Sequence, residues 1–91
     1  MPYTIKVASA RVEKQLVSVS ETDRAHLVIR LRVLAEQPRP KGVKALARNV
    51  CRLRVGRYRV IYKVFEREQV VLLGKIAPRA EGTYKHIEDL F

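Results

Sequence analysis

The sequence contains a single cysteine, Cys51, so no disulfide can form within it. Its longest uninterrupted apolar run, Val70 to Leu73, is far short of the roughly 20 residues that cross a bilayer. The opening decapeptide, MPYTIKVASA, lacks the apolar centre of a secretory signal. Together these absences lead to the expectation of a reducing, cytoplasmic setting and no membrane partner. No group of His, Cys, Asp and Glu has the spacing of a ligand set, and no glycine opens a phosphate-cradling loop, so neither metal nor cofactor is expected. The most informative lack is of acid: from Gln37 to Phe65 there is no Asp or Glu.

That same segment carries Arg39, Lys41, Lys44, Arg48, Arg52, Arg54, Arg57, Arg59 and Lys63. The chain holds 19 Lys and Arg against 9 Asp and Glu, a net charge of +10, so its remainder is nearly neutral. A block so one-sided repels itself unless a polyanion or an acidic partner meets it. With 47% hydrophobic and 31% charged residues, the composition is that of a folded chain, and 91 residues suit one domain, 1–91.

The pattern of apolar residues gives the order of elements. In YTIKV, Tyr3, Ile5 and Val7 alternate with Thr4 and Lys6, as in a short strand. Ser9 can cap a helix with Val12, Leu16 and Val19 on its apolar side, and Thr22 or Asp23 can cap a second carrying Leu27, Val28, Leu31, Leu34 and Ala35. Pro38 and Pro40 end that helix, because proline disfavours helical geometry before it and donates no hydrogen bond. The segment PRPKGVKALARN reads as a loop, and three strands follow at 50–55, 58–65 and 69–77. The last, QVVLLGKIA, is apolar on both faces and is expected at the centre of the sheet; KHIEDLF is expected to make one or two helical turns. The predicted fold is α+β: a helical hairpin packed on a small, mainly antiparallel four-stranded sheet, in the order β-α-α-β-β-β-α.

The second and third of these strands are joined by Gly56-Arg57, a pair that suits a two-residue type II′ turn. That register sets Val55 opposite Tyr58, Leu53 opposite Val60 and Cys51 opposite Tyr62, all toward the core. The other face then carries Arg52, Arg54, Arg59 and Lys63, interrupted by Ile61, with Arg54 directly across from Arg59. Like charges so placed cost a few tenths to about 1 kcal/mol. Guanidinium forks bind phosphate oxygens in a bidentate way, and an arginine pair is what a phosphate clamp needs.

The run RLRVGRYRVIYKV, followed by an apolar strand and then APRAEGTY, resembles toxins of the RelE/ParE superfamily of bacterial and archaeal toxin–antitoxin modules. The likeness extends along the chain through LAEQPRP and VKAL. For the RelE branch the resemblance implies a toxin that enters the ribosomal decoding site and cuts messenger RNA. It assigns the work to Arg52 and Arg54 before the turn, Arg59 after it, Arg79 beyond the last strand and Tyr84 in the tail. The best-known relatives have lysines where this chain has Arg52 and Arg54, and their GHR reads APR here. The ParE branch shares the fold but inhibits DNA gyrase, and its members usually end without the arginine–tyrosine pair. Arg79, Tyr84 and KHIEDLF therefore favour the RelE branch; a ParE-like gyrase inhibitor and a non-catalytic RNA-binding relative are the alternatives. Either branch implies a cognate, RelB-like antitoxin whose acidic or amphipathic segment covers the basic face.

RNA cleavage of this kind lets a 2′-hydroxyl lose its proton and attack the adjacent phosphate while the 5′-oxygen leaves. Under the resemblance, Arg59 and Arg79 hold the phosphate, Tyr84 is the base or positions the substrate, and Arg54 stabilises the leaving oxygen. Arginine is a poor proton donor, so the exchange of lysine for arginine weakens any acid role. Arg52, Arg57, Lys44, Arg48 and Lys63 are expected to contact RNA phosphates, with His86 in second line. His26, Cys51, Tyr58 and Tyr62 are expected to be structural.

Overall fold

The computed structural model describes residues 2–78 and 87–91 of the chain. Strand β1 (Thr4–Val7) leads into helices α1 (Ala10–Ser18) and α2 (Glu21–Glu36), followed by β2 (Lys44–Ala47), β3 (Val50–Val55), β4 (Tyr58–Phe65), β5 (Val70–Pro78) and a short 3-10 turn at Ile87–Leu90. The strands form one sheet in the order β1-β5-β4-β3-β2, antiparallel except where β1 runs parallel to β5. The sheet has five strands where the sequence predicted four. The extra one, Lys-Ala-Leu-Ala, falls in the segment read as a loop: its residues have little strand preference, and pairing with β3 imposes the extended form. The strand expected at the centre, β5, is interior, but β4 is the middle one.

The helical hairpin lies on one face. Val12, Val19, Leu27, Leu31 and Leu34 pack there against Cys51, Leu53, Val55, Val60, Tyr62, Val64, Val71, Leu73 and Ile76. Two polar ties fix the hairpin. Ser20, not Thr22 or Asp23, caps α2, its hydroxyl accepting from the Asp23 N–H at 3.3 Å. Arg24 reaches back to the end of α1 and donates to the carbonyls of Leu16 (3.3 Å), which also accepts from the Val19 N–H, Val17 (2.8 Å) and Val19 (3.0 Å), at a helix end where carbonyls run short of intrahelical partners. Tyr62 is fully buried, and its hydroxyl donates to the Pro38 carbonyl at 2.6 Å. Burial pushes its pKa well above the usual value, with Cys51 adding to the rise and Arg39 opposing it.

One irregularity in β5 decides what faces where. Ile61 pairs with Lys75, yet Tyr62 pairs with Leu73, so Gly74 is an extra residue in the ladder. A bulge of this kind resets the alternation of a strand. Leu73 and Ile76 both enter the helix-side core, and Lys75 is left on the opposite face in one row with Ile61 and Arg52. β1 pairs with β5 only as far as Val7–Leu73, and the Ile76 N–H beyond that point donates to the Gln15 side chain of α1 at 2.8 Å.

Candidate nucleic-acid interface

The face turned away from the helices is assembled from the register of the strands. Val55 pairs with Tyr58, Leu53 with Val60, Cys51 with Tyr62, and Arg54 stands directly across from Arg59, as the two-residue turn requires. Gly56 has φ +56, and Arg57 is not among the residues with positive φ, which matches the type II′ pattern. In such a hairpin the Arg54–Arg59 pair occupies the site without cross-strand hydrogen bonds, where Cα atoms approach to about 4.5 Å and side chains are closest.

Reading across the sheet, one row holds Lys44, Arg52, Ile61 and Lys75; a second holds Arg54, Arg59 and Ala77; a third holds Val50, Lys63, Leu72 and Lys6. The five strands contain no Asp or Glu. Arg52 and Arg59 are half-buried, with their Nε atoms fully enclosed, while Arg54, Lys44 and Lys6 are exposed. Lys63 lays its Nζ over the Phe65 ring, 5.3 Å from the centroid.

Not every predicted contact residue joins this face. Arg57 sits at the hairpin tip, where its Nε lies 3.6 Å from Asp23 Oδ2 of α2; the acid-free segment thus receives a counter-charge from a distant part of the sequence. Arg39 likewise meets Glu66 at 2.9 Å. Arg48 lies in the exposed turn between β2 and β3. Arg79, Tyr84 and His86 are outside the described residues. His26 is exposed on α2, Cys51 and Tyr62 are in the core, and Tyr58 packs against it, as expected. Lys6 and Lys75 were missed. Alternation in YTIKV places Lys6 opposite Ile5 and Val7, but Lys75 depends on the Gly74 bulge, which no pattern in QVVLLGKIA announces.

The face is also less open than the alternation suggests. Val50, Ile61 and Ala77 are buried without belonging to the helix-side core. Over Gly74 lie the Phe91 ring and Leu90: a Cβ built on this glycine would stand 2.6 Å from Phe91 Cε1, 2.7 Å from Cζ and 2.9 Å from Leu90 Cβ. The C-terminal end thus seats in a notch that only glycine leaves, next to Lys75. No group of three or more His, Cys, Asp or Glu able to hold a metal occurs among the described residues, and no described helix is long and apolar enough to cross a membrane.

The family model for the ParE toxin of type II toxin–antitoxin systems, parDE, matches residues 8–82. Among solved structures, the archaeal RelE–RelB complex from Pyrococcus horikoshii OT3 contains a chain 26% identical, with 90% of this chain and 100% of that one covered at a TM-score of 0.76. The isolated E. coli RelE toxin is 22% identical over 97% of this chain and 95% of its own, at 0.77. The RelBE2 toxin–antitoxin complex of Mycobacterium tuberculosis contains a chain 21% identical, covering 87% of this chain and 100% of that one, at 0.70. The last two likenesses are of fold. Curated protein sequences give no match.

Proposed function

The chain belongs to the ParE toxin family of type II toxin–antitoxin systems, with a RelE-like fold, and from that premise we propose that it cleaves messenger RNA on the ribosome and is neutralised by a cognate antitoxin. The observation that carries this reading is the arginine pair Arg54–Arg59, directly opposite each other on strands whose own residues include no Asp or Glu. Two guanidinium forks set side by side, on a fold whose other face supplies the core, can take the oxygens of one phosphate in a bidentate way.

RNA brings its own nucleophile, so the protein's task is positioning and charge. Arg59 and Arg54 bracket the scissile phosphate and stabilise its extra negative charge as the 2′-oxygen attacks. Arg52, Lys44, Lys63, Lys6 and Lys75 hold the flanking phosphates. Tyr84 takes the 2′-proton or fixes the nucleotide, and Arg79 helps hold the phosphate; both assignments come from the resemblance. Arginines donate protons poorly, so the leaving oxygen takes its proton from elsewhere, which makes the reaction slow on free RNA and dependent on positioning by the ribosome.

The match to the ParE toxin family over residues 8–82 favours a second reading, a gyrase inhibitor that cuts nothing. Primer extension on messenger RNA from cells briefly expressing the protein, beside Arg59→Gln and Tyr84→Phe variants, separates the two. Discrete cuts within translated codons, lost in both variants, are expected. Growth arrest with uncut messages would transfer the protein to the gyrase reading.

A further inference from the structure

At the far end of the basic face the turn between β2 and β3 meets the turn between β4 and β5. Between them lies a groove of about 590 Å³ lined by Arg48, Asn49, Lys63, Phe65, Glu66 and Arg67 among others. Its construction is specific. Asn49, at φ 60, and Gln69, at φ 55, hold both turns in the left-handed region that side chains other than glycine seldom adopt. Arg39 ties the turns together, bonding Asn49 Oδ1 at 3.0 Å and Glu66 at 2.9 Å. That ion pair occupies the acid nearest the aromatic ring in sequence, so Glu66 does not oppose an anion entering beside Arg48, Lys63 and Arg67. Glu68 is the other acid on the lining.

Phe65 and Lys63 lie on the same face of β4 as Arg59. Lys63 lies four positions beyond Arg59, about 13 Å along a strand, a span of a few nucleotides of extended RNA. An aromatic ring beside cations is how proteins hold single strands: the ring stacks a base and the cations take the phosphates.

We propose that this groove is a nucleotide subsite for single-stranded RNA, in which Phe65 stacks a base and Arg48 and Arg67 hold its flanking phosphates while the scissile phosphate lies at Arg54–Arg59. The inference rests on the RNA reading above and adds the place where a neighbouring nucleotide is read. Stacking on Phe65 adds a contact to the base itself, largely independent of which base it is, to the phosphate contacts of the basic face.

The test is binding of a fluorescent 2′-O-methyl heptauridylate, which the protein cannot cleave, over a range of salt. Phe65→Ala is expected to weaken binding about 5- to 100-fold with the salt slope unchanged, and Phe65→Tyr to keep it. The double variant Arg48→Gln/Arg67→Gln is expected to make the slope shallower by about 1.4, two single-strand phosphate contacts. Circular dichroism of each variant verifies that the fold is intact. If the parent protein binds while Phe65→Ala binds within twofold of it, the subsite is wrong and the RNA reading stands. If the parent protein does not bind at low salt, the RNA reading fails and the subsite with it. Equal competition by an oligo-glutamate that Phe65→Ala leaves unchanged would reassign the groove to an acidic peptide and overturn the proposal.

Discussion

Replacing Gly74 by alanine adds one methyl group at the place where the C-terminal end meets the sheet. The new Cβ would stand 2.6 Å from the Phe91 ring and 2.9 Å from Leu90 Cβ, where ordinary contact begins near 3.5 Å. The ring can retreat by the missing distance of about 0.9 Å, but Leu90 Cβ is fixed to the backbone, so the 3-10 turn must move as well. Overpacking of this sort costs typically 1–3 kcal/mol. Gly74 does not have positive φ, so alanine brings no backbone strain and recovers ~0.4–1 kcal/mol by stiffening the unfolded chain. The net loss is about 1–2 kcal/mol, a fall in Tm of roughly 5–15 °C for a chain of this size. Thermal unfolding of Gly74→Ala, Phe91→Ala and the double variant measures it. Once the ring is gone, the alanine should cost less, and the double variant's loss should fall short of the sum of the two single losses by at least about 0.5 kcal/mol. Additive losses, or a Gly74→Ala protein melting within a degree of its parent, would refute the notch.

Tyr62→Phe removes the hydroxyl that donates to Pro38 and strands that carbonyl, for a loss of about 1 kcal/mol near neutral pH, read by urea unfolding. Because burial raises the Tyr62 pKa in the folded state above its unfolded value of ~10, the hydroxyl's contribution is complete below that pH and erodes above it. The parent protein should therefore lose its advantage over Tyr62→Phe between about pH 10 and 11; a constant difference would contradict the assignment. Arg24→Ala uncovers the carbonyls at the end of α1 and should cost about 1–2 kcal/mol, with amide exchange accelerated first at that helix end. Arg24→Lys should recover little of this, since an ammonium lacks the planar fork that spans them.

What the sequence reveals and what it hides divide along physical lines. The β3–β4 hairpin was legible residue by residue, because a glycine-led two-residue turn leaves no choice of register and a period of two does the rest. The helix cores were legible for the same reason of period. β2 was not, since Lys44–Ala47 is extended only because β3 offers it a ladder. The basic face was legible in Arg52, Arg54, Arg59 and Lys63 but not in Lys75, whose side depends on one inserted residue. Nor could alternation foretell that Asp23 would reach Arg57, or that Phe91 would return to Gly74: both are contacts between segments far apart in sequence. The chemistry assigned to Arg79 and Tyr84 comes from the resemblance, and those residues lie outside the described part of the chain.

The hydrogen bond from Ile76 to Gln15 has a consequence for how the protein behaves in a crowded solution. A sheet that is closed on neither side offers unsatisfied backbone to any extended chain that drifts past, and β5 runs past the end of its neighbour β1. A glutamine side chain lodged on that overhang occupies a donor that another strand would otherwise use. Lys6 and Lys44 stand on the two outermost strands, so copies of the molecule approaching edge to edge meet charge of their own sign. The positive charge that would draw in a nucleic acid thus also keeps the molecules from joining their sheets into fibres.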